Sequence, residues 1–384
     1  MDVQFSEADL AFQQEVRDFI QKNWTEIRGG NMWEARGRWL KALREKGWDV
    51  PKWPVEFGGT GWTTSQQYIW DKESALASTP GVLPFGISML APILYTYGTK
   101  EQQDRFLPGI RNHTVNWCQG YSEPGAGSDL AAVKTRAVLS EDGSHYAVTG
   151  TKIWTTLAHF AHWMFCLTRT SDTGPKQEGI TFLLIDMKTP GIEVKPIITL
   201  GGSHSVNMVH LDDVKVPVEN RIGEEGKGWT YAKGLLKHER MGLAGVVRAS
   251  ASLRQLKKNA QSVETEDGTL MDNDAFAAKV AGVEIELTAL EFAELRVLAT
   301  VSRGGAPGPE SSILKLRGTA IQQRLTELNL EVAGEQGAAW GGARVGPKFA
   351  RQAMAGYLGG RATTIYGGAS EVQKDVIAKN VFHI

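Results

Sequence analysis

The sequence predicts an α+β protein laid out as helices, then strands, then helices. Three observations carry this: helical periodicity from Ser6 to about Asn112, a change to alternating apolar positions near Val115, and a return of helical periodicity at Trp229 that persists to the end. The boundaries fall at 1–114 for an N-terminal helical domain, 115–222 for a central β domain and 223–384 for a C-terminal helical domain. A chain of 384 residues exceeds what one core usually organises, so two or three domains are expected.

Ser6 is placed to cap a first helix whose buried side carries Leu10, Phe12, Val16, Phe19 and Ile20. The stretch from Trp48 to Trp62 holds prolines and glycines that forbid continuous helix. Thr63 then begins a helix through Tyr68, Ile69 and Glu73 to Ala77. An apolar helix follows from Pro84 to Tyr97, and Thr99 opens another. The β runs are Val133 to Leu139, His145 to Val148, Trp163 to Thr168, Ile180 to Ile185, Ile192 to Ile198 and His210 to Val214, with glycines between them. In the last third, Gly228 to Val247 reads as one helix, with Ala232, Leu235, Leu243 and Val246 on a single stripe. Polar breaks follow at Ser262 to Asp274 and at Gly304 to Ser312.

Composition narrows the function. Apolar residues make up 42% and charged residues 22%, values of a soluble globular protein. A net charge of −1, from 42 basic and 43 acidic side chains, supplies no global field for nucleic acid or an anionic membrane. Cys118 and Cys166 read as core packing in a reducing cytoplasm rather than as a disulfide framework. The start, MDVQFSEADL, lacks the blocks of a signal peptide, and no apolar run approaches the ~20 residues that span a bilayer, so neither export nor membrane insertion is expected. Twelve tryptophans suggest planar aromatic surfaces, although large helical cores use them too.

Four stretches carry chemistry. Glu239 lies on the apolar stripe of the Gly228 to Val247 segment, where desolvation raises a carboxylate toward the range a general base needs; the alternative is an exposed Glu-Arg pair with Arg240. WCQGYSEPGAGSD, Trp117 to Asp129, is a strand feeding a turn in which Gly125 and Gly127 let amides approach an acceptor and Ser122 and Ser128 present hydroxyls. In isolation it is equally a plain tight turn, and with no third glycine and no following helix it is not a dinucleotide fingerprint. GTKIWTT, Gly150 to Thr156, ends a strand with the Trp154 indole and two hydroxyls, with core packing of Trp154 as the alternative. In RATTIYGGASEVQKDVIAKNV, Arg361 to Val381, Ser370 and Gln373 are spaced as a capping box and Val372, Ile377 and Val381 as a stripe. The amides of Gly367 to Ser370 make a donor-rich helix entry.

YSEPGAGSD, GTKIWTT, VPVENRIGEEGKGW and YGGASEVQ, in this order, resemble the acyl-CoA dehydrogenase family over nearly the whole chain. The resemblance implies that fold: an N-terminal helical domain, a central β-barrel or sandwich and a C-terminal four-helix bundle. It also implies FAD, an acyl-CoA thioester substrate, α,β-dehydrogenation, and an electron-transferring flavoprotein as acceptor. Gln119, Tyr121 and Ser122 would lie against the isoalloxazine, with Trp154 and Thr156 on its other flank and Ser122 and Thr156 bonding its polar edge. Gly127 and Ser128 would meet the cofactor or the pantetheine arm, and Glu371 the cofactor's sugar region. Ser128, Arg240, Tyr366 and Gly367 would line the substrate, with the Gly367 amide on the thioester carbonyl and Glu239 as base.

Two departures refine this. Most relatives carry the catalytic glutamate directly after the tyrosine of the terminal motif, where this chain has Gly367; a minority, including the isovaleryl and long-chain types, place it before an arginine on the long helix, as Glu239 stands before Arg240. The relocated base leaves room for a branched or bulky acyl group. Relatives also clamp the ADP half of a neighbouring subunit's FAD with Arg-x-x-Phe-Gly and Gln-x-x-Gly-Gly segments. Here those places read NAQSVETEDGTLMDND, acidic and without arginine, and EVAGEQGAAW. The chain thus resembles the larger subunit of two-chain α2β2 acyl-CoA dehydrogenases of steroid side-chain or pimeloyl-CoA type, with a second acyl-CoA dehydrogenase-like chain supplying the clamp. A homo-oligomer with a differently built ADP site is the alternative. Rival readings are an acyl-CoA oxidase of the same fold, disfavoured because oxidases usually carry a further C-terminal domain, and a non-catalytic subunit that shapes a partner's site.

Overall fold

A computed structural model of the chain describes residues 5–26, 31–234, 244–303, 305, 308–340 and 345–382. By packing, the chain divides into two compact units that cut across the three-part reading: Met1–Gly81 with Arg240–Ile384, and Val82–Glu239.

The first unit opens with α1 (Glu7–Ile20), α2 (Met32–Lys46) and α3 (Thr64–Leu76). Ser6 caps α1 in a reciprocal capping box with Asp9, and Thr63 caps α3 in the same way with Gln66. Phe12, Val16 and Ile20 are buried at steps of four, whereas Leu10, two positions before Phe12, falls on the opposite side and is exposed, against expectation. The tryptophans here are core residues: Trp39 stacks on Trp70, and Trp48 meets Trp70 edge-on at 5.4 Å.

The unit's later part contains α6 (Val246–Gln261), a hairpin of two short strands (Glu264–Thr265 and Gly268–Thr269), α7 (Asp274–Ser302), α8 (Glu310–Ala333), α9 (Ala353–Gly360) and α10 (Ser370–Ile377). Leu253, Leu256, Phe276, Val280, Leu287, Leu325 and Leu328 form one core between α6, α7 and α8. Gly228 to Val247 is not one helix: Gly245 adopts φ +63° and starts α6 anew. Of the expected stripe, Ala232 and Val246 are each buried, on either side of this break.

The second unit begins with helical turns, Phe85–Leu90 leading into α4 (Ala91–Tyr97), then α5 (Lys100–Arg111), capped by Thr99. One curled seven-stranded mixed sheet follows: β1 (Trp117–Gly120), β2 (Arg136–Leu139), β3 (His145–Thr156), β4 (Trp163–Arg169), β5 (Ile180–Asp186), β6 (Ile192–Ile198) and β7 (His204–Pro217). Its order is β1-β4-β2-β3-β7-β6, with β5 paired to β4. Strand β4 pairs along its whole length with antiparallel β5 on one edge, while its other edge passes from parallel β1 at Trp163–Cys166 to β2 at Arg169; the core holds Tyr146, Val148, Met164, Leu183, Ile185 and Val209. Cys118 and Cys166 are buried free thiols in that core, as the sequence predicted. Among the described residues no helix is long and apolar enough to cross a membrane.

Candidate functional site

In the second unit the structure clasps two of the sequence motifs together. Strand β1 runs parallel to β4 so closely that a Cβ on Gly120 would collide with the Met164 side chain. The chain then makes a tight turn in which Glu123 and Ala126 exchange backbone hydrogen bonds around Pro124-Gly125. From the second motif, the fully buried Lys152 reaches behind this turn. Its Nζ donates to the Glu123 carboxylate at 2.8 Å, to the Leu167 carbonyl at 2.7 Å and to the Tyr121 carbonyl at 3.3 Å. The amides of Lys134 and Thr135 donate to the same carboxylate at 2.7 and 2.9 Å. Burial alone would raise the pKa of Glu123; the Lys152 ammonium and these donors outweigh it and hold the carboxyl below its ordinary value. One residue on, the Ile153 N–H donates to the Ser122 carbonyl at 2.9 Å, so Ser122 and Trp154 become neighbours across the clasp.

Trp154 itself sits at a bulge where the register of β3 on β7 shifts between Lys152 and Thr155. Its φ is +59°, an outlier for a bulky side chain, and the indole is 57% exposed, which overturns core packing as its role. The bulge is braced from below: buried Asn207 donates to the Thr155 carbonyl at 3.0 Å and bonds His204 Nε2 at 2.7 Å and His159 Nδ1 at 3.0 Å, with the two imidazoles stacked 4.0 Å apart. Thr156 is half-buried opposite Val206, and Gln119 is half-buried on β1. Gly127 and Ser128 are exposed; a Cβ on Gly125 or Gly127 would meet nothing, and neither has positive φ, so the protein's own packing does not demand glycine at either place. The Tyr121 side chain is 5% exposed, set edge-on to Phe165 and Phe182.

The first unit holds the terminal motif. Gly367 and Gly368 take φ of +64° and +92°, after which α10 begins at Ser370. The expected capping box is absent. Ala369 holds the extended conformation of the N-cap, so Ser370 is already helical and its hydroxyl donates instead to the Thr364 carbonyl at 3.4 Å. Gln373 is the buried position of this helix, whereas Val372 and Ile377 are half-buried and Val381 is exposed, so the expected stripe does not form. Tyr366 and Glu371 are exposed and Gly367 is half-buried. From α8 the fully buried Lys315 donates to the Gly368 carbonyl at 2.6 Å and the Thr363 carbonyl at 3.2 Å. Burial holds its pKa below that of an ordinary lysine, with the charge of Glu371 working the other way.

Glu239 and Arg240 lie outside the described residues, as do Leu235 and Leu243 of the same stripe. The chain resumes at Ala244, whose carbonyl accepts from Gln322 at 3.1 Å and lies so close to α8 that a Cβ on Gly318 would strike it. Sequence reasoning missed Lys152, Asn207 and Lys315. A signal existed for two of them: Lys152 shares the inward parity of Tyr146 and Val148, and Lys315 falls midway between buried Ser311 and Thr319 at helical spacing.

Models of the N-terminal, middle and C-terminal domains of acyl-CoA dehydrogenase match residues 6–113, 118–214 and 226–382 in succession. The chain is 35% identical over 350 residues to acyl-CoA dehydrogenase IpdE1 of Mycobacterium tuberculosis, covering 91% of this chain and 88% of that protein. Its fold matches a chain of the ChsE4-ChsE5 complex from Mycobacterium tuberculosis with a TM-score of 0.84 at 30% identity, covering 100% of this chain and 99% of the other. It matches a chain of the Tcur3481-Tcur3483 steroid acyl-CoA dehydrogenase with a TM-score of 0.84 at 28% identity, covering 100% and 99%. With all three domain models met in order along one chain, the protein belongs to the acyl-CoA dehydrogenase family of flavin-dependent oxidoreductases.

Proposed function

We propose that this protein catalyses FAD-dependent α,β-dehydrogenation of an acyl-CoA thioester to the trans-2-enoyl-CoA, with a bulky, branched or steroid-side-chain acyl group. The observation that carries the reading is the ordered succession of the three family domains between residue 6 and residue 382. The steroid acyl-CoA dehydrogenase among its structural neighbours supports the acyl class.

The residues of the second unit fit a planar cofactor. The exposed Trp154 indole is held on a braced bulge beside Ser122, and open space lies over Gly125 and Gly127, where a side chain would intrude on a ligand. In this reading Trp154, Thr156, Gln119, Ser122 and the Tyr121 backbone flank the flavin, Gly127 and Ser128 meet the cofactor or pantetheine, and Glu371 meets the cofactor's sugar. A bound flavin there would supply hydride acceptance from Cβ and an exit for the electrons to an electron-transferring flavoprotein. Glu239 takes the α-proton, Arg240, Tyr366 and Ser128 line the substrate, and the Gly367 amide donates to the thioester carbonyl where negative charge develops.

The same reading assigns a second acyl-CoA dehydrogenase-like chain in an α2β2 assembly, as the two-component neighbours suggest. Supporting it, the hairpin where relatives carry the arginine clamp exposes Glu264, Glu266 and Asp267, which repel a pyrophosphate. The two free thiols suit a reducing cytoplasm.

The test is Glu239→Gln, purified with its genomic neighbour as partner and assayed against a panel of acyl-CoA thioesters. Turnover is expected to fall about 10²–10⁴-fold with flavin still bound. Unchanged turnover would remove Glu239 as base, and stoichiometric FAD on the chain purified alone would remove the partner-completed site.

A further inference from the structure

Lys315 presents a problem that fold stability alone does not solve. Its ammonium is fully buried, and among the described residues no carboxylate pairs with it; its two recorded partners are the carbonyls of Gly368 and Thr363. Burying a charge costs free energy that carbonyl contacts recover only in part, and a methionine would fill the same volume at less cost. What the ammonium does accomplish is local. The Gly367-Gly368 pair has no side chains to fix it, and both residues occupy the left-handed region, where glycine rotates with little restraint. A cation gripping the carbonyl on the far side of that pair, and another four residues before it, removes this freedom.

Resting on the reading in which the Gly367 amide polarises the thioester carbonyl, we propose that Lys315 is the positioning residue of that donor: by clamping Gly368 and Thr363 it aims the Gly367 N–H, and its positive charge strengthens the field behind it. A donor that must meet developing charge works only when its direction is set beforehand, and a positive charge behind the peptide makes its N–H a stronger donor.

The experiment compares wild type, Lys315→Met and Lys315→Gln in the assembled enzyme by three readouts. The first is the rate of flavin reduction by saturating acyl-CoA, the second is KM, and the third is the absorption maximum of bound cinnamoyl-CoA, whose red shift reports carbonyl polarisation directly. Lys315→Met is expected to lose 30-fold or more in rate with KM within threefold and most of the red shift gone. Lys315→Gln, which keeps amide N–H donors but not the charge, should fall between. If Lys315→Met does not fold, Lys315→Gln decides by the same readouts. A full red shift and rate in a folded variant, or a lowered melting temperature with the red shift intact, overturns the proposal and leaves Lys315 a strut. Wild-type enzyme that shows neither flavin reduction nor a red shift with any thioester brings down the functional reading itself, a result distinct from a wild type that works and a variant that works equally well.

Discussion

Each compact unit braces one of its motif turns from behind with a fully buried lysine, and the two lysines are partnered in opposite ways. Lys152 meets a carboxylate, Glu123, which is itself saturated by two backbone amides, so charge and hydrogen bonds close within the unit. Among the described residues Lys315 hydrogen-bonds carbonyl dipoles and forms no ion pair, the charge of exposed Glu371 acting on it without contact. The backbone they support differs as well: the bulge after Lys152 puts positive φ on a tryptophan and exposes its ring, while the turn before α10 puts it on two half-buried glycines. A neutralised pair is suited to holding an aromatic wall in place, whereas an open charge is suited to acting on a ligand. The difference separates a lysine whose removal harms folding from one whose removal harms chemistry.

The largest expected effect tests the first half of that contrast. Lys152→Met leaves the Glu123 charge buried without its cation and should lower unfolding free energy by about 3–5 kcal/mol in urea titration, with part regained in Lys152→Met/Glu123→Gln. A loss below about 1 kcal/mol would make the pair dispensable. Next, Gly368→Ala forces a side chain onto φ +92° and against the Gln373 amide; it should cost about 1–3 kcal/mol in melting experiments and slow flavin reduction as well.

The pH dependence is smaller and differs in sign between the units. Glu123 has a folded pKa below its unfolded value, so its contribution is present in full above the unfolded pKa and is lost as pH falls through the folded one. Glu123→Gln should therefore flatten the acid limb of a stability profile. In the first unit Glu294 is pushed up to about 7 by burial, with Asp71 and Glu291 adding to it and Lys52 opposing. Because that folded pKa lies above the unfolded one, stability is lost as pH rises from the unfolded value toward 7, and Glu294→Gln should recover on the order of 1 kcal/mol at pH 8 and nothing at pH 4. The smallest effect belongs to Trp154→Gly, which relieves the positive φ and should change the melting temperature of the flavin-free protein by only a few degrees while weakening flavin retention.

The layout of helix, sheet and helix was legible because it is written in local periodicity, and the capping residues Ser6, Thr63 and Thr99 were legible because their partners lie three residues away. The motifs around Ser122, Trp154 and Gly367 were legible by resemblance. What escaped depends on contacts distant in sequence. Nothing near Lys152 announces Glu123, 29 residues earlier, and nothing near Lys315 announces Gly368, 53 residues later. Ser370 failed as a cap because Ala369, which no propensity favours there, already holds the extended conformation. Gly228 to Val247 failed as one helix because apolar spacing does not register the positive φ that Gly245 takes where α6 begins.

The first unit is assembled from both ends of the chain, Met1–Gly81 and Arg240–Ile384, around an inserted middle. During synthesis the opening helices emerge first, yet α3 cannot meet α6 until the ribosome has made everything between them. The aromatic cluster of Trp39, Trp48 and Trp70 draws its members from α2, α3 and the turn between them, all before Gly81, so it gives the nascent segment a self-sufficient nucleus that hides its apolar rings through the wait.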